Sequence, residues 1–395
     1  MQCLLFCGCL VGGAAQAEED YAVPEDSESP VLRAGGVDIY PGFSLVEKRN
    51  DNLFKSDIGK KASLITVVSP SVLMQAKSGA NIYSLAYDAD LARYAQSTPD
   101  NYDDQNLSAN AELAFSSRTT LTLTPQIKVG HDDRGSTYSL PTATPNRWDN
   151  TGLAGSFTYG SEDSIGRIQL DADAYSIRYR NNRAVTSTLD RDVSDVGGTF
   201  YYRTSPKIYA LVQLTETRIS YADPAATLSG KEQRILLGAT WKATAQTSGS
   251  FKIGQLRKKF DSAARTGFSG TSWEGSVRWS PREFAYIDWI TGRKSTESTG
   301  VGDFVLLTSN ALDLGYDLSE RTSLHLNVAR LVEDFSLSGR SDSTQSYGVK
   351  AEYKLRKWLV LGAEYSHAAK TSTGFTGVSP NYTGNIIAVS IRTEL

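Results

Sequence analysis

Leu107-Ser108-Ala109-Asn110-Ala111-Glu112-Leu113-Ala114-Phe115 decides the fold. Odd positions are apolar and even ones polar or small, so each set of side chains falls on its own face of a strand. Ser117-Arg118 breaks the pattern, which then resumes: Leu121, Leu123, Pro125, Ile127 and Val129 alternate with Thr120, Thr122, Thr124, Gln126 and Lys128. Such runs are about a dozen residues long, where soluble strands usually number about five or six. Long strands, apolar on one side only, suit a membrane wall.

The same texture extends in both directions. Ile235, Leu237, Ala239 and Trp241 interleave Arg234, Gly238, Thr240 and Lys242; Trp273, Gly275, Val277 and Trp279 interleave Ser272, Glu274, Ser276 and Arg278. Tyr347, Val349, Ala351 and Tyr353 repeat it, and Ile387, Val389, Ile391 and Leu395 close the chain. Tight breaks, such as Ser78-Gly79, Ser205-Pro206-Lys207 and Ser280-Pro281-Arg282, recur roughly every 40 residues. Between them lie longer polar stretches, among them 50–61, 131–147, 181–192 and 223–230. The reading is an all-β chain: a single closed antiparallel transmembrane β-barrel of about 18 strands, in the range of about 16–18, with short periplasmic turns and longer extracellular loops. A soluble antiparallel sandwich would also alternate, but it has no reason for the short-long asymmetry. Phe115, Tyr209, Trp279, Phe284 and Trp358 lie near the short turns and are expected to form an aromatic girdle.

Ahead of the barrel, Leu4-Leu5-Phe6 to Leu10-Val11 is apolar and ends in Ala15-Gln16-Ala17, which reads as a secretory signal over 1–17. It carries no Lys or Arg before the apolar run, a departure consistent with a start further upstream. Phe6-Cys7-Gly8 is a poor lipobox for Cys9. Residues 18–36, with Glu18, Glu19, Asp20, Glu25, Asp26 and Glu28, read as an acidic periplasmic tether, and 37–395 as the barrel. All 3 Cys lie in the signal, so the mature chain has no disulfide framework. A formal net charge of -3 offers no field to recruit nucleic acid. No apolar run approaches the roughly 20 residues of a spanning helix, which excludes a helical membrane protein.

Tyr40-Pro41-Gly42, Asn50-Asp51-Asn52-Leu53-Phe54 and Thr66-Val67-Val68-Ser69-Pro70 resemble the putative beta-barrel porin type 2 family. So do Leu256-Arg257-Lys258-Lys259-Phe260-Asp261 and Trp273-Glu274-Gly275-Ser276-Val277-Arg278-Trp279-Ser280-Pro281-Arg282. The resemblance covers the whole mature chain. It implies an outer-membrane barrel of the kind associated with exopolysaccharide or capsule secretion, and it supplies no catalytic residues. Leu395 departs from the aromatic residue usual at the end of barrels handled by the assembly machinery.

Catalytic constellations are absent from the sequence. The 3 His are His131, His325 and His367; none sits in Asp-x-His or His-x-Ser, and there is no phosphate loop or dinucleotide fingerprint. No catalytic residue, metal site or cofactor is expected. His131-Asp132-Asp133 reads as a solvated loop more readily than as a metal site, and Asn50-Asp51-Asn52 and Asp100-Asn101-Tyr102-Asp103-Asp104 as turns rather than calcium loops. The chemistry resides in the lumen. Alternation turns a basic arc inward, Arg203, Arg234, Lys242, Lys252 and Arg278, with Asp88, Asp90, Glu112, Asp171 and Asp173 expected opposite it. A barrel this wide is not filled by its side chains.

The expected localisation is the outer membrane, after signal cleavage. The expected partners are outer-membrane lipid and lipopolysaccharide, the barrel assembly machinery and, for export, a polysaccharide with periplasmic components. Three functions stand open: a conduit for polysaccharide export, a passive diffusion porin for small solutes, and a structural surface barrel with a blocked pore.

Overall fold

The computed structural model describes residues 32–136, 142–244, 246–298 and 301–393. The first strands are β1 (Leu32–Ala34), β2 (Val37–Asn50), β3 (Ser63–Ser78), β4 (Asn81–Tyr94), β5 (Tyr102–Ser116), β6 (Thr119–Asp132) and β7 (Asn146–Tyr159). Next come β8 (Gly166–Tyr179), β9 (Arg191–Ser205), β10 (Ile208–Tyr221), β11 (Gly230–Thr244), β12 (Thr247–Phe260) and β13 (Phe268–Arg282). The last are β14 (Ala285–Glu297), β15 (Phe304–Ser319), β16 (Thr322–Phe335), β17 (Ser341–Arg356), β18 (Leu359–Thr373) and β19 (Tyr382–Thr393).

From β2 to β19 each strand pairs antiparallel with its neighbour in sequence, and β19 returns to β2 through Ile386↔Asn50 to Arg392↔Ser44. Eighteen strands therefore close a barrel, with β1 as an extra strand at the short-turn end. Closure leaves lipid no open edge, which the membrane interior requires. Strand β1 lies within the stretch expected to be a tether. Gly35 and Gly36, both at positive φ (57° and 86°), form the two-residue turn that folds it onto Val37–Ile39. The expected signal, 1–17, and residues 18–31 lie outside the described residues.

Period two sorts the side chains as the opening stretch requires. Phe115 is 64% exposed on the outside, whereas Ser108, facing inward, is 2% exposed. The girdle forms with one correction. Phe115, Trp279, Phe284 and Trp358 are exposed outside, but Tyr209 turns inward, where its hydroxyl donates to the Glu162 carbonyl and its ring faces the Arg167 guanidinium. Alternation along β10 requires this, since Ile208, Val212 and Leu214 are exposed and Leu211, in phase with Tyr209, is buried.

The interior is not uniformly polar. Three apolar clusters line the long-loop end: Ile65, Val67, Ala92 and Tyr94; Val193, Ile219 and Tyr221; and Val305, Leu307, Leu331 and Phe335. They are the seats on which loops rest. One part of the wall also departs from the cylinder. The β13–β14 ladder stops at Trp273↔Arg293, while β14–β15 continues to Glu297↔Phe304. The upper end of the β14–β15 hairpin has left β13.

Candidate functional site: a constricted, charged lumen

The hairpin leans across the lumen. Ser295 donates from its hydroxyl to Glu232 on β11, Lys258 on β12 binds Glu297 at 2.6 Å, and the Tyr221 hydroxyl on β10 donates to Glu297 at 2.8 Å. Along the wall, β14 and β11 are three strand spacings apart, about 14 Å. A serine and a glutamate cannot span that distance, so the hairpin must lie inside. Lys258 is 2% exposed and also lies 3.9 Å from Glu232, so one ammonium sits between two buried carboxylates. Phe304 packs against Phe260 and Phe268, and Asp303 pairs with Arg265. The run Phe304-Val305-Leu306-Leu307 is buried on both faces, as an element enclosed by protein on both sides must be.

Loops cover another part of the mouth. Arg134 binds Asp100 at 2.5 Å and places its guanidinium over the Phe54 ring at 4.4 Å, while Lys61 donates to the Ser97 hydroxyl at 2.9 Å. His131 stacks on Tyr102 at 4.0 Å, with its ring nitrogens on Asp104 (3.0 Å) and Asp133 (3.2 Å). Asp133 is held at about 2: burial pushes its carboxyl up, and the His131 hydrogen bond and the Lys55 charge outweigh it. The oxygen-rich stretches expected to be turns and a solvated loop are thus partly strand, Tyr102 to Asp104 on β5 and His131 on β6, and have protein partners, with Asp103 on Arg93 at 2.7 Å. Between β16 and β18, Lys370 bridges Glu333 (3.4 Å) and Asp342 (3.3 Å), and Arg340 closes on Asp342.

The basic arc is brought onto acids rather than left facing water. Arg234 and Lys252 both bind Glu274, the latter at 2.7 Å, and Arg278 binds Asp288. Arg203 donates to the Asp163 carbonyl at 2.6 Å, and Lys242 lies 3.7 Å from Glu162; both sit at the short-turn end. Three of the five acids take neutral donors. Ser69 donates to Asp90, Asn106 to Asp88, and Ser156 and Gln169 to Asp171. Asp173 stands in register with Asp195, whose carboxylate takes the Thr217 hydroxyl. Among the described residues Asp90, Glu112, Asp171, Asp173 and Asp195 enter no ion pair. The two arcs are also not simply opposed. Asp88 and Asp90 on β4 lie half-way round from Arg278 on β13, but Asp171 and Asp173 on β8 adjoin the strand that carries Arg203. Sequence reading missed Glu274 and Asp288 as partners, and it missed the hairpin. The unalternating run 304–307 was the signal for the latter.

Comparison with known proteins accords with this architecture. The family described as "Putative beta-barrel porin 2" matches residues 31–395. OpdK of Pseudomonas aeruginosa, solved with vanillate, superposes with a TM-score of 0.53 at 11% identity, over 90% of this chain and 98% of that one. OccK2 (OpdF) of the same organism gives 0.51 at 10% identity, over 91% and 98%. At such identities the likeness speaks for the fold alone. No curated protein matches the chain.

Proposed function

The chain belongs to the family described as "Putative beta-barrel porin 2", an outer-membrane channel family, and on that premise we propose that it is a passive pore for small solutes, cations before anions. The observation that carries this reading is the β14–β15 hairpin, held inside the barrel by Lys258, Glu232 and Glu297. Small molecules need only a narrow passage beside a hairpin that crosses the mouth. A polysaccharide would have to thread its whole length past the same obstacle, so export is the weaker reading. The charge preference is supported by Asp90, Asp171 and Asp195, which have hydroxyl or amide partners, whereas Arg234, Lys252 and Arg278 of the basic arc each have a carboxylate. Cations face this wall too, but they are fewer: Arg167 on β8, over the Tyr201 ring, Arg191 on β9, and Lys48 and Lys128 on β2 and β6. A wall of weak sites concentrates counter-ions without trapping them.

Planar-bilayer recording and liposome swelling test the proposal. The expected result is steady conductance, a reversal potential displaced toward potassium in a KCl gradient, and swelling with arabinose but not with a long oligosaccharide. Silent bilayers would refute it, as would an oligosaccharide entering as fast as arabinose.

A further inference from the structure

The outer face carries a second charged feature that conduction does not use. Arg218 on β10 stands in register with Lys231 on β11, and Lys231 with Lys259 on β12. One row lower Arg257 faces Gln233, and Gln233 binds Glu216. Directly opposed like charges on antiparallel strands destabilise the pairing, so three cations abreast call for something outside the fold.

The acids at hand neutralise only one of them. Asp261 accepts both guanidinium nitrogens of Arg218 (3.2 and 2.8 Å), and Glu216 is held by Gln233. Lys231, Arg257 and Lys259 have no side-chain partner among the described residues. Elsewhere at this end the outward charges cancel in pairs: Arg93 with Asp103 (2.7 Å), Arg178 with Asp192 (2.6 Å) and Arg180 with Asp149 (2.5 Å). Arg49 and Arg330 stand singly on their strands.

Depth identifies the partner. Immediately below the cations, Leu214, Ile235, Leu237 and Ile253 are exposed and apolar, the outer face of the hydrocarbon band. The row therefore sits where the band ends, on the long-loop side, at headgroup level of the outer leaflet. We infer that Lys231, Arg257 and Lys259, with Arg218, form a docking site for a lipid whose headgroup carries phosphates. Its acyl chains lie along Ile235 and Ile253. Cations about 5 Å apart across the ladder let one phosphate bridge two of them by charge-assisted hydrogen bonds. The inference rests on membrane placement and is independent of what the lumen passes.

The test uses the full protein in detergent, with diphosphoryl lipid A, its fully dephosphorylated form and inorganic phosphate as probes, read by native mass spectrometry. Diphosphoryl lipid A should stay bound and lose affinity steeply with salt, and the dephosphorylated form should bind at least about tenfold more weakly. The triple variant K231Q/R257Q/K259Q, checked for folding by heat-modifiable gel mobility, should lose on the order of tenfold or more, while R93Q should not. Equal binding of the dephosphorylated form would overturn the site in favour of a merely apolar belt. Displacement by millimolar inorganic phosphate would overturn it in favour of a soluble-anion site. Unchanged binding by a folded triple variant would overturn it outright. The two lipid probes decide the matter even if that variant fails to fold.

Discussion

At the scale of single residues the lumen turns on two groups. Lys258 sits between Glu297 and Glu232 with almost no exposure. Removing one member of a buried ionic set costs about 3–5 kcal/mol, because it leaves charge uncompensated. Lys258→Met should therefore release the hairpin and raise single-channel conductance. Adding Glu232→Gln and Glu297→Gln to that variant should bring conductance back toward the starting value. Glu274 is the other group, since it alone holds Arg234 and Lys252 together. Glu274→Gln should free two lumen cations and move the reversal potential toward anions, whereas Glu112→Gln should move it the same way by removing an acid. An unchanged potential in both variants would mean that the acidic wall does not set selectivity.

At the scale of elements the strands obey one rule, and it can be tested on the last of them. Ile387, Val389 and Ile391 are exposed outward from β19, while Ala388 faces Glu364 and Lys48 inside. Val389→Arg should cost about 2–4 kcal/mol in vesicle unfolding titrations, and Ala388→Arg much less. Equal costs would put the register off by one residue. This is the level at which the sequence was most legible, because face and membrane depth both follow from period two within a single strand. Leu107 to Phe115 announces its two faces without any partner. What joins strands was harder to read. The meeting of Arg234, Lys252 and Glu274 depends on two successive ladder registers, which turn and loop lengths fix. Tyr209 shows the converse: alternation along β10, with Ile208, Val212 and Leu214 outward, puts it inside, and nearness to a short turn was a poorer guide than phase. Phe304 to Leu307 was legible only as an exception, a run that refuses to alternate. It marked the element that leaves the wall.

At the scale of the molecule the barrel is a cylinder with unequal seams. The closing ladder between β2 and β19 runs only from Ser44 to Asn50, while β17 and β18 pair from Ser341 to Arg356. Fewer ladder bonds mean a lower local opening free energy. Hydrogen exchange in vesicles should therefore lose protection first at 44–50 and 386–392, and uniform protection around the barrel would contradict that order. The seam between β13 and β14 is incomplete in another way. Residues Phe268–Ser272 are laddered to β12 but not to β14, which they reach only through the Ser272 hydroxyl on the Arg293 carbonyl. The hairpin thus has two addresses: docked by side chains across the lumen, or zipped by backbone onto that free edge. A part with two seats and one hinge behaves as a telegraph. The current through such a pore would step between two discrete levels instead of drifting, with dwell times set by how fast a charged clasp opens against how fast a ladder closes.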